Sequence, residues 1–331
     1  MKTYCGNGYT DTMIRWIKRA LVALVAAVAI GYPLAGWSSE QLDDAARANL
    51  LSSGQARQFV TLPMGTMHVR ISGPVNGPPV LLIHGGMVGG YGFQNWQKPL
   101  ADAGFRIIVP DLFGYGFSDR PDTPYTRQFY VDQLAQLLDT LGTRTPVHVV
   151  GASMGGAIAT AFTASFPARV RSVALMAPAG GGRVAVVNGA LLWPVIGDVA
   201  FRMFGSSYSR DVIAKAYANS PAREPMMAWM AAQTRYRGYA EGLLNNLRNY
   251  DAAWQPEDYA ALGRSGLPVL AVWGTADTVN PFDQSRVLAR HVPQMKIVPL
   301  EGKGHAITYG ETDAVLAAVI PFFRAAGRPG S

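Results

Sequence analysis

The sequence predicts an α/β fold, a mostly parallel sheet flanked by helices, with a helical lid inserted late in the chain. Three observations carry this. Short apolar runs recur, among them Val80–Ile83, Ile107–Val109 and Val147–Val150, as expected of strands buried on both faces. Between several of them lie stretches with helical spacing, which parallel strands require as crossovers. The alternation stops between about residues 180 and 265, in a helical segment rich in Trp, Met, Tyr and Arg. An insertion there hangs over the carboxyl ends of the strands, the edge at which open α/β sheets bind ligands.

Composition agrees with one globular body plus an appendage. Of 331 residues, 49% are hydrophobic and 15% charged, which suits a large core and excludes a disordered chain. The net charge is +7, but Lys2, Arg15, Lys18 and Arg19 all precede residue 20, and the remaining cations are scattered among acids. Without a basic stripe or an aromatic-basic platform, no nucleic-acid partner is expected. Cys5 is the only cysteine, so neither an intrachain disulfide nor a cysteine-ligated metal is expected. No ligand-spaced histidine cluster or phosphate-loop pattern points to a metal or a cofactor, and none is expected.

Residues 1–45 read as an N-terminal signal or membrane anchor with its linker. The basic flank Arg15–Arg19 precedes Ala20–Trp37, which carries no charge, and the acids of Ser38–Asp44 follow. That pattern predicts export, and a transmembrane segment at about residues 20–37 would hold the catalytic part outside the cytoplasm. Cleavage after Ala35 would place Pro33 at the −3 position, which favours an uncleaved anchor.

The body is expected to begin near Arg57. Residues 57–179 form the first part of the core, 180–265 the lid and 266–326 the second part. Gln58–Leu62 and Met67–Ile71 flank Pro63-Met64-Gly65 as a hairpin. The strand at Val80–Ile83 ends in His84-Gly85-Gly86-Met87, and the strand at Arg106–Pro110 leads into Asp111–Asp119. Tyr125–Leu141 has helical spacing closed by Gly142. Val147–Val150 enters Gly151-Ala152-Ser153-Met154-Gly155, and a small-residue segment leaves it: strand, sharp turn, helix. Strands follow at Ser172–Ala177, Val269–Gly274 and Lys296–Pro299.

Chemistry concentrates on Ser153. A serine at such a turn is pushed out at the top of a sheet, beside free N–H groups of the following helix. A hydroxyl is a weak nucleophile and needs a base, which in turn needs an orienting acid. Among the five histidines, His68 and His148 lie within strands, His84 braces the glycine-rich turn and His291 ends an exposed helix. His305 sits in the loop Glu301-Gly302-Lys303-Gly304-His305 after the last strand, from which an imidazole can swing over the sheet edge. Trp273-Gly274-Thr275-Ala276-Asp277 places a carboxylate just past a buried strand, which favours Asp277 over its competitors Asp111 and Asp251. The oxyanion donors expected are the backbone N–H of Met154 and that of Gly86, with Met87 next in line.

Over about Val80–Ile320, these motifs make the chain resemble the α/β-hydrolase superfamily, in particular its serine esterases and lipases. His-Gly-Gly, Gly-Ala-Ser-Met-Gly-Gly, Trp-Gly-Thr-Ala-Asp and Gly-Lys-Gly-His stand in the expected order, and Asp111–Asp119 looks like the family's Gly-x-Gly-x-Ser loop. The resemblance implies the triad order Ser153, Asp277, His305. It implies hydrolysis of a carboxylic ester through an acyl-enzyme, with a small-molecule ester or lipid-like substrate. Ser153 sets the chain apart from haloalkane dehalogenases and epoxide hydrolases, which use an aspartate nucleophile. Meta-cleavage C–C hydrolases are the alternative; they place Trp after the catalytic His, where this chain has Ala306. The remaining alternative is an inactive hydrolase fold used for binding.

Overall fold

The computed structural model describes residues 39–182, 189–218, 220 and 222–326, together with 12–19, 22, 23, 25, 26, 29 and 32. Its centre is an eight-stranded sheet in the order β1-β2-β4-β3-β5-β6-β7-β8. The strands are β1 (Gln58–Leu62), β2 (Gly65–Ser72), β3 (Pro79–Ile83), β4 (Arg106–Pro110), β5 (Val147–Ala152), β6 (Val170–Met176), β7 (Val269–Gly274) and β8 (Met295–Leu300). β1 and β2 form the antiparallel hairpin, β2 pairs antiparallel with β4, and every later pairing is parallel. β3, β5 and β7 are buried along their whole length, which explains why they read as continuous apolar runs rather than as alternations. Each fully buried Val, Leu or Ile in them contributes about 1.5–3 kcal/mol of transfer free energy.

The helices are α1 (Asp44–Ser52), α2 (Gln97–Asp102), α3 (Arg127–Thr140), α4 (Met154–Ser165), α5 (Ile196–Ala216), α6 (Arg223–Thr234), α7 (Tyr239–Asn249), α8 (Pro256–Arg264), α9 (Gln284–His291), α10 (Ile307–Gly310) and α11 (Thr312–Ala326). Local chemistry starts several of them: the Asp43 carboxylate accepts from Ala46 N–H, Thr126 Oγ1 accepts from Phe129 N–H, and Pro256 opens α8.

The insertion leaves the sheet after β6 through a narrow stem. Gly181 bridges Trp254 antiparallel, Gly182 N–H donates to Ala253 O, and Gln255 N–H donates to Gly180 O. Between the two sides of this stem run α5, α6 and α7. The next helix, α8, lies beyond the stem and packs on α4, with Tyr259 and Leu262 fully buried. Its amphipathic pattern resembles that of the lid helices, and only its contacts assign it to the core layer.

Chain upstream of Arg57 also packs on the body. Glu40 pairs with the lid, its N–H donating to Arg235 O and its carbonyl accepting from Arg237 N–H. Leu50 of α1 and Ala56 join an apolar cluster with Phe117, Trp229 and Tyr236. α1 buries Leu50 alone of its nine residues, too little to leave an amphipathic pattern in the sequence. Among the described residues no helix is long and apolar enough to cross a membrane. The expected transmembrane segment, residues 20–37, lies mostly outside the described residues.

Candidate active site

The carboxyl ends of β3, β5, β7 and β8 share one edge, and each delivers one piece of the site. Ser153 follows β5 with φ 52° and ψ −121°, a left-handed backbone that costs a non-glycine residue about 1–3 kcal/mol. Hydrogen bonds hold it there: Ser153 N–H donates to Met176 O at 3.0 Å, and Ser153 O accepts from Gly156 N–H at 2.8 Å and Ala179 N–H at 2.9 Å. The turn is tight enough that a Cβ on Gly155 would sit 2.2 Å from Ile83 O and 2.5 Å from His84 O. The Ser153 turn and the His-Gly-Gly turn therefore pack backbone against backbone.

The structure brings Ser153, His305 and Asp277 into one hydrogen-bonded chain. Ser153 Oγ lies 2.9 Å from His305 Nε2, and His305 Nδ1 lies 2.7 Å from Asp277 Oδ2. The other carboxylate oxygen, Oδ1, accepts from Val279 N–H at 2.8 Å and Asn280 N–H at 2.9 Å. Because the Asp277 carboxylate only accepts, Nδ1 is the ring nitrogen that donates to Oδ2, which turns Nε2 towards the serine hydroxyl as the acceptor. The loops bearing Asp277 and His305 touch directly. Ala276 N–H donates to Lys303 O, and a Cβ on Gly274 would fall 2.2 Å from that same oxygen. Glycine in Trp-Gly-Thr-Ala-Asp is thus set by the approach of the histidine loop.

Of the other candidates, Met154 begins α4 directly after Ser153, and Gly86 and Met87 lie in the turn after β3. Asp111 is not near His305's Nδ1, which Asp277 occupies. It is fully buried and accepts from His68 Nδ1 (2.8 Å), Arg70 Nη1 (3.1 Å), Gly90 N–H (2.7 Å) and Phe117 N–H (3.0 Å). Asp251 is exposed beside the lid stem. His84 braces its turn as expected, accepting Leu112 N–H at Nε2 and donating from Nδ1 to Gly85 O.

Two features lay outside the sequence reading. Asn280 carries the acid loop: its Nδ2 donates to Ala177 O, and Trp273 Nε1 donates to its carbonyl. The spacing Asp277-x-x-Asn280 is a readable Asx-type turn, so a signal existed. Gln233, Trp229 and Tyr239 of the lid hydrogen-bond the His-Gly-Gly turn, and no local pattern distinguishes them from the lid's other polar and aromatic residues.

Three histidines outside the Ser153–His305–Asp277 chain set an acid limit on stability. Burial lowers His68 and His84, against an upward pull from Asp111, and brings His148 down to about 4. Because the unfolded chain takes up these protons near pH 6.5 and the folded one does not, stability is full above pH 6.5 and falls as pH drops. Each such group contributes a slope of about 1.4 kcal/mol per pH unit between its two pKa values. Denaturant titrations at pH 7, 6 and 5 should therefore show a falling stability, and His148→Asn should remove one proton from the slope. An unchanged slope in that variant would show that His148 is not held neutral.

Comparison with known proteins agrees with this architecture. A model of the alpha/beta hydrolase fold matches residues 78–310. Lipase 3 from a Moraxella species is 28% identical over 246 residues, covering 70% of this chain and 72% of the lipase. The 2-hydroxymuconate semialdehyde hydrolase of a Pseudomonas species is 39% identical over 107 residues, 31% of this chain and 38% of that enzyme. A thermophilic esterase from Thermogutta terrifontis superposes with a TM-score of 0.68 at 23% identity, covering 82% of this chain and all of its own. The family match takes in β3 to β8 and the lid insertion between them, and on that ground the chain belongs to the alpha/beta hydrolase fold family.

Proposed function

We propose that this protein is a serine hydrolase of carboxylic esters, acting on a small-molecule or lipid-like ester. The observation that carries the reading is the unbroken relay from Ser153 Oγ through His305 to Asp277. His305 Nε2 takes the serine proton as Oγ attacks the ester carbonyl, and Asp277 stabilises the imidazolium. The oxyanion rests on the N–H groups of Met154 and Gly86, with Met87 the adjacent donor. The tetrahedral intermediate collapses as His305 protonates the leaving alcohol. The same imidazole then deprotonates a water, which attacks the acyl-serine and releases the acid. Lipase relatives that match most of the chain support ester chemistry. The N-terminal apolar segment supports export or anchoring, with the catalytic part outside the cytoplasm.

A C–C bond hydrolase is the second reading, favoured by the 39% identity to the semialdehyde hydrolase over 107 residues. The full chain, purified in detergent, separates the two with a fluorophosphonate probe, a p-nitrophenyl ester series from acetate to palmitate, and a vinylogous diketone. Labelling with ester turnover is expected. Labelling with turnover of the diketone alone would move the assignment to C–C cleavage, and a folded protein that does not label would remove Ser153 as nucleophile.

A further inference from the structure

We propose that the lid sets the geometry of the oxyanion hole, with Gln233 as the principal positioning residue. The turn after β3 is held from two sides. On the core side, His84 Nδ1 donates to Gly85 O at 2.7 Å, and Gly90 N–H donates to Asp111 Oδ1 at 2.7 Å. The residues between these anchors are held from above by lid side chains. Gln233 Nε2 of α6 donates to Met87 O at 2.7 Å, and Tyr239 OH of α7 donates to the same oxygen at 3.0 Å. Trp229 Nε1 of α6 donates to Val88 O at 2.6 Å.

These bonds fix the Met87–Val88 and Val88–Gly89 peptide planes, which adjoin the Gly86–Met87 plane, and one of the residues they hold is strained. Met87 has φ 73°, a left-handed conformation costing a residue with a side chain about 1–2 kcal/mol. Such a conformation persists where surroundings over-determine it. Two donors on one carbonyl, both from the lid, supply that constraint. Gln233 is fully buried and committed at both ends: its Oε1 accepts from Gly116 N–H at 3.0 Å, tying α6 to the loop after β4 as well. An oxyanion donor acts only when it is already aimed at the position the charge will occupy. The lid thus does more than cover the substrate. When it is docked the Gly86–Met87 peptide is held beside the Gly86 donor that His84 anchors from the core side, and when its hydrogen bonds are lost Met87 can relax and swing that peptide, with the Met87 N–H, out of line.

The proposal rests on the ester-hydrolase reading, and the experiment separates their failures. Gln233→Met keeps length and apolar volume and deletes both bonds, while Tyr239→Phe deletes one donor and keeps the ring. Wild type that neither labels with fluorophosphonate nor turns over ester would fail the parent reading. Given an active wild type, Gln233→Met should lower kcat about 10- to 100-fold with KM within about two-fold, less than the loss of a whole donor. Tyr239→Phe should give a smaller drop in the same direction. The inhibition constant of a trifluoromethyl ketone matched to the preferred acyl chain should rise by the factor by which kcat/KM falls, because that ketone places an oxyanion in the hole. Active-site titration on each variant corrects for any unfolded fraction. Titrated variants whose kcat stays within two-fold of wild type, or whose loss falls on KM with ketone affinity unchanged, would overturn the proposal.

Discussion

Ser153→Ala is expected to lower kcat for ester hydrolysis by about 10⁶-fold, and Asp277→Asn by about 10⁴-fold, each with little change in KM. The first removes the nucleophile. The second acts through a proton position that the structure lets one work out. Asp277 Oδ1 accepts two backbone N–H groups, from Val279 and Asn280, while Oδ2 faces His305 Nδ1. An asparagine must turn its oxygen to the two N–H donors, which leaves its NH2 group against Nδ1. Nδ1 then has to accept, the ring proton moves to Nε2, and the imidazole can no longer take the proton of Ser153. The shape of the loop is kept, because Asn280 still bonds Ala177 O and Trp273. Steady-state kinetics on the p-nitrophenyl ester with the best acyl chain would test both variants, with active-site labelling to count competent enzyme in Asp277→Asn and circular dichroism to show that Ser153→Ala is folded. A loss below ten-fold in Asp277→Asn would mean that the carboxylate does not set the tautomer, whatever its distance from the ring.

Much of this site was legible because its parts are local. The turn at Ser153 shows as a β-branched run followed by glycine and small residues, since the backbone approach of Gly155 to Ile83 and His84 admits nothing larger. Asp277 shows because it follows a fully buried strand, and His305 because it stands on a short glycine-bearing loop after the last strand. The inner strands β3, β5 and β7 show because burial on both faces leaves no room for polar alternation. What stayed hidden depends on contacts between distant segments. The lid's three donors to Met87 and Val88 lie more than a hundred residues from the turn they hold, and an isolated Gln, Trp or Tyr on a helix carries no mark of such a partner. The assignment of α8 to the core rather than the lid has the same cause, because its buried face looks identical whichever layer receives it. The position of α1 depends likewise on a backbone bridge from Glu40 to the lid residues flanking Tyr236.

Asp111 shows how far a sequence position can suggest chemistry that the fold spends on structure, and Asp111→Asn should destabilise the protein by about 3–5 kcal/mol. Like Asp277 it is an aspartate at the carboxyl end of a strand, so position alone gives both the same appearance. Its surroundings differ in that all its acceptor capacity is used inside the core. Oδ1 takes Gly90 N–H and Arg70, and Oδ2 takes His68 Nδ1 and Phe117 N–H. Burial opposes its ionisation, but Arg70 and His68 outweigh burial and hold the carboxyl well below the usual carboxylate range. An asparagine can satisfy only one of these two donor pairs. Its NH2 would face the other pair, and the guanidinium of Arg70, 3% exposed and stacked 4.9 Å from the Trp229 ring, would lose its counter-charge. Chemical denaturation at pH 7 measures the loss. Adding Arg70→Met to Asp111→Asn should recover part of it, since the double variant no longer buries an unpaired cation. A single-variant loss under about 1 kcal/mol would show that the network contributes little net stability. A double variant no more stable than the single would place the cost in the lost N–H acceptors of Gly90 and Phe117 rather than in the charge.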